Sequence, residues 1–238
     1  EVVQAVVAVS EFTDHQHLVF CTSKGQVQKN ALSLYSNPRK GGIKAINIAE
    51  GDELVTVKLM SEGQDLLIAT RNGMAIRFSA DNIRAAGRYT QGVRGISLSG
   101  DDYVIGMENL RPNSSILTIS EKGMGKRSSI DDYRVINRGG KGVINMKVTD
   151  KTGLIVGINE VIDSDELIMI TNRGQSIRFM VSDLRVIGRN TQGVRLFNLA
   201  DGDRIVAVSR VAEDEDKQGP GDDDLLSGAN EIGKDPIE

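Results

Sequence analysis

The chain has no tryptophan, four prolines, one cysteine and only 4% aromatic residues among its 238 positions. The single cysteine, Cys21, excludes an internal disulfide, and its place in the apolar run HLVFCT marks it as a small buried hydrophobe. With so few rings, the core has to be built from Val, Ile, Leu, Met and Ala; together with 26 glycines that mix leans towards β-structure with many tight turns. No stretch approaches the roughly 18 uncharged apolar residues of a membrane-spanning helix, and no signal-peptide pattern is present, so the chain reads as soluble and cytoplasmic. Catalytic and metal constellations are missing too. His15 and His17 have no cysteine or carboxylate cluster at ligand spacing. The segment KGMGKRSS (Lys122–Ser129) has the spacing of neither a P-loop nor a dinucleotide fingerprint. Tyr35, Tyr133 and Tyr103 occupy repeat positions that other units fill with Ile83, Leu184, Leu54 or Ile205, which makes them packing positions, and Tyr89 has no activating group nearby in sequence.

What is present is a repeat. HLVFCTSKG, DLLIATRNG, SILTISEKG and ELIMITNRG end at Gly25, Gly73, Gly123 and Gly174, spaced by 48, 50 and 51 residues. A second glycine recurs at Gly42, Gly92, Gly142 and Gly193 in KGGIKAINI, TQGVRGISL, GKGVINMKV and TQGVRLFNL. Each unit reads as about four short strands joined by glycine turns. The first is almost wholly apolar, and the next alternates, as in Met74, Ile76 and Phe78 against Arg77. Four-stranded units of this length suggest blades around an axis, here without the Trp-Asp or kelch signatures of the common propellers. The expected fold is all-β, a propeller-like array of four blades at about 15–60, 64–110, 113–161 and 164–211, within a domain spanning 1–211. Glu1–Val9 resembles the closing strand of a further unit upstream.

The net charge of −4 averages two unlike segments. Residues 212–238 carry ten acids and two lysines, whereas residues 1–211 carry 27 basic and 23 acidic residues. The acidic end reads as a disordered tail able to occupy a basic surface as a polyanion mimic, or simply to keep the chain soluble. In the body, cations recur in register. Four residues after the first glycine stand Lys29, Arg77, Arg127 and Arg178; eleven after it, Arg84, Arg134 and Arg185. Before the second glycine come Arg39, Arg88, Arg138 and Arg189, and two residues after it Lys44, Arg94 and Arg195. Stacked on blades, such columns form a band suited to a polyanion, and arginine favours forked contacts to phosphate. With few aromatics and no recognition helix, the expected partner is duplex DNA held by its backbone, with preference set by bendability. The loop Asn137-Arg138-Gly139-Gly140-Lys141-Gly142 joins bare backbone to two cations, as a phosphate-contact loop would.

DLLIATRNGMAIRF, RAAGRYTQGVRGISL, GDDYVIGM, the similar fourth unit and YRVINRGGKGV together resemble the C-terminal domain of the DNA gyrase A subunit, from Glu1 to about Val211. The resemblance implies a β-pinwheel, with strands exchanged between neighbouring blades, that wraps DNA around a basic rim. Family domains usually have about six blades, so two more are expected upstream. The family's seven-residue box, Gln-Arg-Arg-Gly-Gly-Lys/Arg-Gly, normally lies in the first blade; Ile136–Gly142 keeps its last five positions in the third visible unit, and NPRKGG (Asn37–Gly42) is a poorer echo. The resemblance further implies an ATP-dependent type IIA topoisomerase that introduces negative supercoils. In it this fragment has no active site or cofactor, and ATP and Mg2+ act elsewhere. The B subunit, together with the rest of the A subunit, partners it in an A2B2 assembly of the bacterial cytoplasm and nucleoid. The fragment alone is expected to be a monomer with no membrane partner. The topoisomerase IV equivalent and a propeller serving as a protein-interaction platform stay open as alternatives.

Overall fold

The computed structural model describes residues 3–211. Its strands, in chain order, are β1 (Gln16–Thr22), β2 (Gln26–Ala31), β3 (Leu54–Ser61), β4 (Asp65–Thr70), β5 (Met74–Ser79), β6 (Val93–Arg94), β7 (Val104–Leu110) and β8 (Ser115–Ser120). There follow β9 (Met124–Ser129), β10 (Val143–Ile144), β11 (Ile155–Val161), β12 (Glu166–Thr171), β13 (Ser176–Met180), β14 (Val194–Arg195) and β15 (Ile205–Arg210). Four one-turn 3-10 helices, at Leu32–Tyr35, Ala80–Asn82, Ile130–Asp132 and Val181–Asp183, each follow the second strand of a unit and bury their first residue. Residues 3–9, expected as the closing strand of an upstream unit, form no strand and are mostly exposed. Residues 212–238, read as an acidic tail, lie outside the described residues.

The strands form four antiparallel sheets, ordered β3-β1-β2-β6, β10-β5-β4-β7, β11-β8-β9-β14 and β13-β12-β15. Each unit lends its short strand to the sheet of the unit before it: β6 pairs with β2, β10 with β5 and β14 with β9. This is the expected pinwheel exchange, and the fourth sheet has three strands because no later unit among the described residues lends it one. The strands β3, β7, β11 and β15 pack side by side in order, so they line the axis, and the lent strands form the outer edge.

Local chemistry makes this exchange possible. In each hairpin the glycine N–H closes a turn onto the carbonyl three residues back, as Gly73 does onto Thr70, and the Thr70 hydroxyl accepts the N–H of Met74. The carbonyl of Gly73 then accepts the N–H groups of both Asn145 and Met146 from the next unit. Gly25 receives Gly95 and Ile96, and Gly123 receives Leu196 and Phe197, in the same way. A side chain at Gly73 would collide with the Met146 carbonyl.

The apolar cores lie between blades rather than inside them. One joins Val19 and Val27 of the first unit to Ile68, Ile76, Phe78 and Met107 of the second, with Ile96 of the lent segment among them. The next unites Leu67 and Ala75 with Ile116, Tyr133 and Ile158, and a third unites Leu117 and Ile119 with Met169, Val181 and Ile205. A lone unit would leave its apolar faces in water, which is why the array folds as a stack. Tyr133 is buried as expected, but Tyr103 is 40% exposed, its ring covered by the Arg71 guanidinium at 5.2 Å. Inter-blade ion pairs cross the axis, Lys58 to Glu108 at 2.6 Å and Arg111 to Glu160 at 2.7 Å. Burial holds the Glu108 carboxyl above its ordinary range, an effect that Lys58 partly offsets.

The exchange predicts unequal roles for equivalent glycines. Gly142 (φ +76°) abuts the Ala75 carbonyl, whereas Gly42, also at φ +76°, has nothing within 4 Å of the place a methyl group would take. Gly42→Ala should cost about 1–2 kcal/mol, the left-handed strain alone. Gly142→Ala should cost roughly 3 kcal/mol or more, since strain and collision add; urea unfolding of both variants checks the difference.

Candidate nucleic-acid interface

The four cation columns separate into two structural classes. The column four residues after the first glycine faces inward in the first three units. Lys29 is 9% exposed and donates to the Ala80 carbonyl at 2.9 Å, with Asp81 at 3.9 Å. Arg77 pairs with Asp65 at 2.9 Å and donates to the carbonyls of Ile130 and Tyr133. Arg127, 8% exposed, holds Asp163 and reaches the carbonyls of Val181 and Leu184. Each thus clamps the 3-10 helix of the following unit onto its own blade. Arg178 is bound by Glu166 of the same hairpin. The sequence reading of Lys29, Arg77 and Arg127 as part of a solvent-facing band is corrected: the face opposite Ile76 and Phe78 is covered by the neighbouring unit, and these cations donate to its 3-10 helix carbonyls, whereas Arg178 stays exposed beside Glu166.

The other three columns lie on the outer edge. After the 3-10 helix, each unit runs beside the preceding blade, with bridges Arg77↔Val135 and Arg127↔Val186, and Lys29↔Ala85 in the first blade. It then turns over the edge in a loop and returns as β6, β10 or β14. Arg84, Arg134 and Arg185 stand at the start of this path, exposed. Arg84 and Val93 border one hollow of about 420 Å³ between the first two blades, and Arg185 and Val194 border its counterpart between the third and fourth. Arg138 donates to the carbonyls of Asn82 and Arg94, both at 3.0 Å. Arg189 repeats this one unit later, donating to Asp132 at 2.9 Å and Ile144 at 2.6 Å. Arg84, Arg94 and Arg138 therefore meet at one junction and Arg134 and Arg189 at the next. Arg88 lies over the Tyr89 ring at 5.5 Å. Arg195 donates to Asn198 at 3.2 Å. Arg39, Lys44 and Lys141 are exposed. None of these eleven cations forms an ion pair with a carboxylate among the described residues, though Asp81, Asp131 and Asp183 sit on the nearby 3-10 helices.

The edge loops hold one another. The Asn47 N–H donates to the Thr90 carbonyl, Ser97 to Gly140 and Lys147 to Thr191, so the loops of the second, third and fourth units are each fastened to the unit before. Within Asn137–Gly142, Gly139 docks inward through its N–H to the Gly95 carbonyl at 2.6 Å, and the Ser97 hydroxyl donates to the Gly139 carbonyl at 2.7 Å. The N–H groups of Gly140 and Lys141 have no acceptor among the described residues. Two open N–H groups beside Arg138 and Lys141 suit a phosphate oxygen. Missed by the sequence reading are the anchors beneath the loops. The Gln28 amide donates to the Gly87 carbonyl at 3.2 Å. Lys126, 1% exposed, donates to the Ser128 hydroxyl at 3.1 Å and to the carbonyls of Gly188 and Arg189. Both sit three residues after a hairpin glycine, where the other units have Ile76 and Ile177. A polar residue in a column of isoleucines was the available signal.

The family model described as "DNA gyrase C-terminal domain, beta-propeller" matches residues 16–59, 64–111, 114–161 and 165–212. The chain is similar to the A subunit of DNA gyrase from Clostridium acetobutylicum, 44% identical over 92% of this chain and 26% of that protein. Its counterpart from Escherichia coli K12 is 37% identical over the whole of this chain and 27% of its own length. The chain thus spans about a quarter of these relatives. Among solved structures, a DNA gyrase A C-terminal domain superposes with TM-score 0.78 at 23% identity, covering 87% of this chain and 70% of that one. A DNA topoisomerase IV C-terminal domain gives 0.80 at 24% identity, covering 85% and 64%. These structural likenesses establish the shared fold.

Burial pushes the Lys126 ammonium down to about 7, opposed by Asp132 and helped by Arg189. Its ordinary value is near 10.5. Between these values the unfolded chain binds one more proton than the folded one, so stability should rise with pH across that window, by at most about 1.4 kcal/mol per unit. Urea unfolding at pH 6.5, 8 and 9 should show this rise, and Lys126→Met should remove it.

Proposed function

Because this chain belongs to the family of the DNA gyrase A C-terminal β-propeller domain, we propose that it binds duplex DNA along its outer edge and bends it around the blades. The observation that carries this reading is the division of the cations. Lys29, Arg77 and Arg127 are enclosed in clamps, and eleven cations on the edge have no carboxylate partner among the described residues. Paired surface charges contribute little to binding, whereas unpaired ones release DNA counterions, and six to ten such contacts change affinity by about 10³–10⁵ between 50 and 200 mM salt. Bending 20–30 base pairs by 40–90° costs about 1–6 kcal/mol, which contacts in that number can offset.

In this reading Arg84, Arg94, Arg134, Arg138, Arg185, Arg189 and Arg195 hold phosphates along the edge. Arg39, Lys44 and Arg88 extend the track over the first junction, and Asn137–Gly142 receives one phosphate closely on its bare backbone. Recognition is of shape and backbone, with no base code. The chain has no catalytic role of its own and needs no cofactor for bending. It acts as the wrapping module of a DNA gyrase that supercoils DNA in the bacterial cytoplasm using ATP and Mg2+ bound elsewhere. The B subunit, with the remainder of the A subunit, supplies strand cleavage and passage in an A2B2 assembly. Residues 1–211 form the wrapping domain and 212–238 an appended acidic segment.

Titration of a random-sequence duplex with the 238-residue chain at several salt concentrations tests the proposal. Log affinity should fall linearly with log salt. Replacing Arg84, Arg134 and Lys141 together by Ala should reduce the slope by up to about 2.7, near 0.9 per contact. Arg77→Ala should instead lower unfolding stability by about 2–4 kcal/mol and leave the slope unchanged. Salt-insensitive or absent binding would favour a protein-interaction platform.

A further inference from the structure

We propose that Tyr89 is a wedge that enters the minor groove of the bound duplex and localises its bend at the junction of the first two blades. The inference rests on the DNA-bending reading above. Four tyrosines occur in the chain. Tyr133 is buried, Tyr35 packs its ring 6.4 Å from Phe20, and Tyr103 lies beneath Arg71. Tyr89 differs from all three: it is 63% exposed, on an edge loop, in a chain that otherwise places few rings in water. A large exposed ring in a fixed setting is the informative exception to the burial rule.

The setting is fixed. The Tyr89 carbonyl accepts the Asn47 side-chain amide at 3.0 Å, and the Thr90 carbonyl accepts the Asn47 N–H at 3.1 Å. The Thr90 hydroxyl donates to the Gly87 carbonyl at 3.1 Å. With its backbone tied to the preceding unit and its ring against the Arg88 guanidinium, Tyr89 loses little freedom on binding. The corresponding positions of the next two loops are Gly139 and Asn190. Three equivalent loop positions thus offer three chemistries to the same partner: a ring, bare backbone and an amide.

A phenol can donate one hydrogen bond to a phosphate oxygen, but serine or threonine would supply that equally, so phosphate contact alone gives no reason for a ring between Arg88 and Arg94. Stacking on a single strand would call for successive aromatics along the track, and only this one is there. A duplex supplies a site that one ring fits. The minor groove is about 6 Å wide, and an inserted side chain partly unstacks a base step and kinks the duplex while flanking cations hold the phosphates. The ring should therefore favour flexible pyrimidine–purine steps such as TA.

The test uses a 30-base-pair duplex with a central TA step, 2-aminopurine beside that step and a donor–acceptor pair on its ends. Native chain should raise both 2-aminopurine fluorescence and energy transfer. Tyr89→Ala should abolish the fluorescence rise, reduce energy transfer and weaken binding roughly fivefold or more, with the salt slope unchanged because no charge is lost. Tyr89→Phe, which keeps the flat ring, should behave as the native chain does. Native fluorescence and affinity in Tyr89→Ala would overturn the proposal, as would equal impairment in Tyr89→Phe, which would assign the effect to the hydroxyl. If the native chain shows no salt-dependent binding, the DNA-bending reading falls and the wedge with it; if it binds but the ring is silent, the wedge alone falls.

Discussion

The hydrogen bonds from each lent segment to the hairpin glycine carbonyl of the preceding unit hold the whole molecule in register. Gly25, Gly73 and Gly123 each accept two N–H groups from the following unit. The short strand that follows the second glycine closes the outer edge of a blade that is not its own. An unclosed edge is a row of unpaired backbone groups, costly if buried and prone to stray pairing if exposed. Lending the strand resolves this and fixes the spacing of blades in one step. It also explains why apolar cores fall between units: the lent segment brings Ile96 and Met146 across the boundary with it.

That arrangement decides which cations can act on a partner. In the first three units the residue four after the hairpin glycine lies under the next unit, where it donates to 3-10 helix carbonyls, and the charge of Arg77 or Arg127 is taken up by Asp65 or Asp163. A charge so enclosed has little field at the surface, and removing it would unfasten the 3-10 helix of the next unit from the blade. Residues on the returning path have a different setting: Arg84, Arg94, Arg134, Arg185 and Arg195 are exposed, and Arg138 and Arg189 hold carbonyls of the preceding unit without meeting a carboxylate among the described residues. The axis repeats the logic of the clamp, with Lys58 to Glu108 and Arg111 to Glu160 fastening successive blades.

Much of this was legible in the sequence, and the failures have physical causes. Two glycines per unit at nearly constant spacing marked blade number and turn positions, because positive φ and close backbone approach admit little else. The alternation of Met74, Ile76 and Phe78 correctly marked the face turned to the core. The opposite face was misread, since alternation says that Arg77 points away from one core and nothing about a second layer covering it. Lys126 escaped notice because lysine is rarely buried; only its place in a column of isoleucines distinguished it. Backbone exchange through strands of two residues leaves no side-chain pattern at all. It was inferred from resemblance, and residues 93–94, 143–144 and 194–195 then supplied it.

The edge loops join stability to recognition. Because each is fastened to the unit before it, through Asn47, Ser97 and Lys147, a load on one loop passes to its neighbour rather than bending the tip alone. Their anchors differ: an amide from Gln28 beneath the second unit's loop, Ile76 near Gly140 beneath the third, and the buried Lys126 amine beneath the fourth. A bent duplex resists with elastic energy at every junction, and a rim of independent flexible loops would yield before the DNA did. Loops whose carbonyls are already held by the adjoining blade can keep their arginines at fixed spacing against that resistance. On the proposed reading, curvature of the scaffold sets the curvature of the duplex, and the number of open cations sets how much salt it takes to release it.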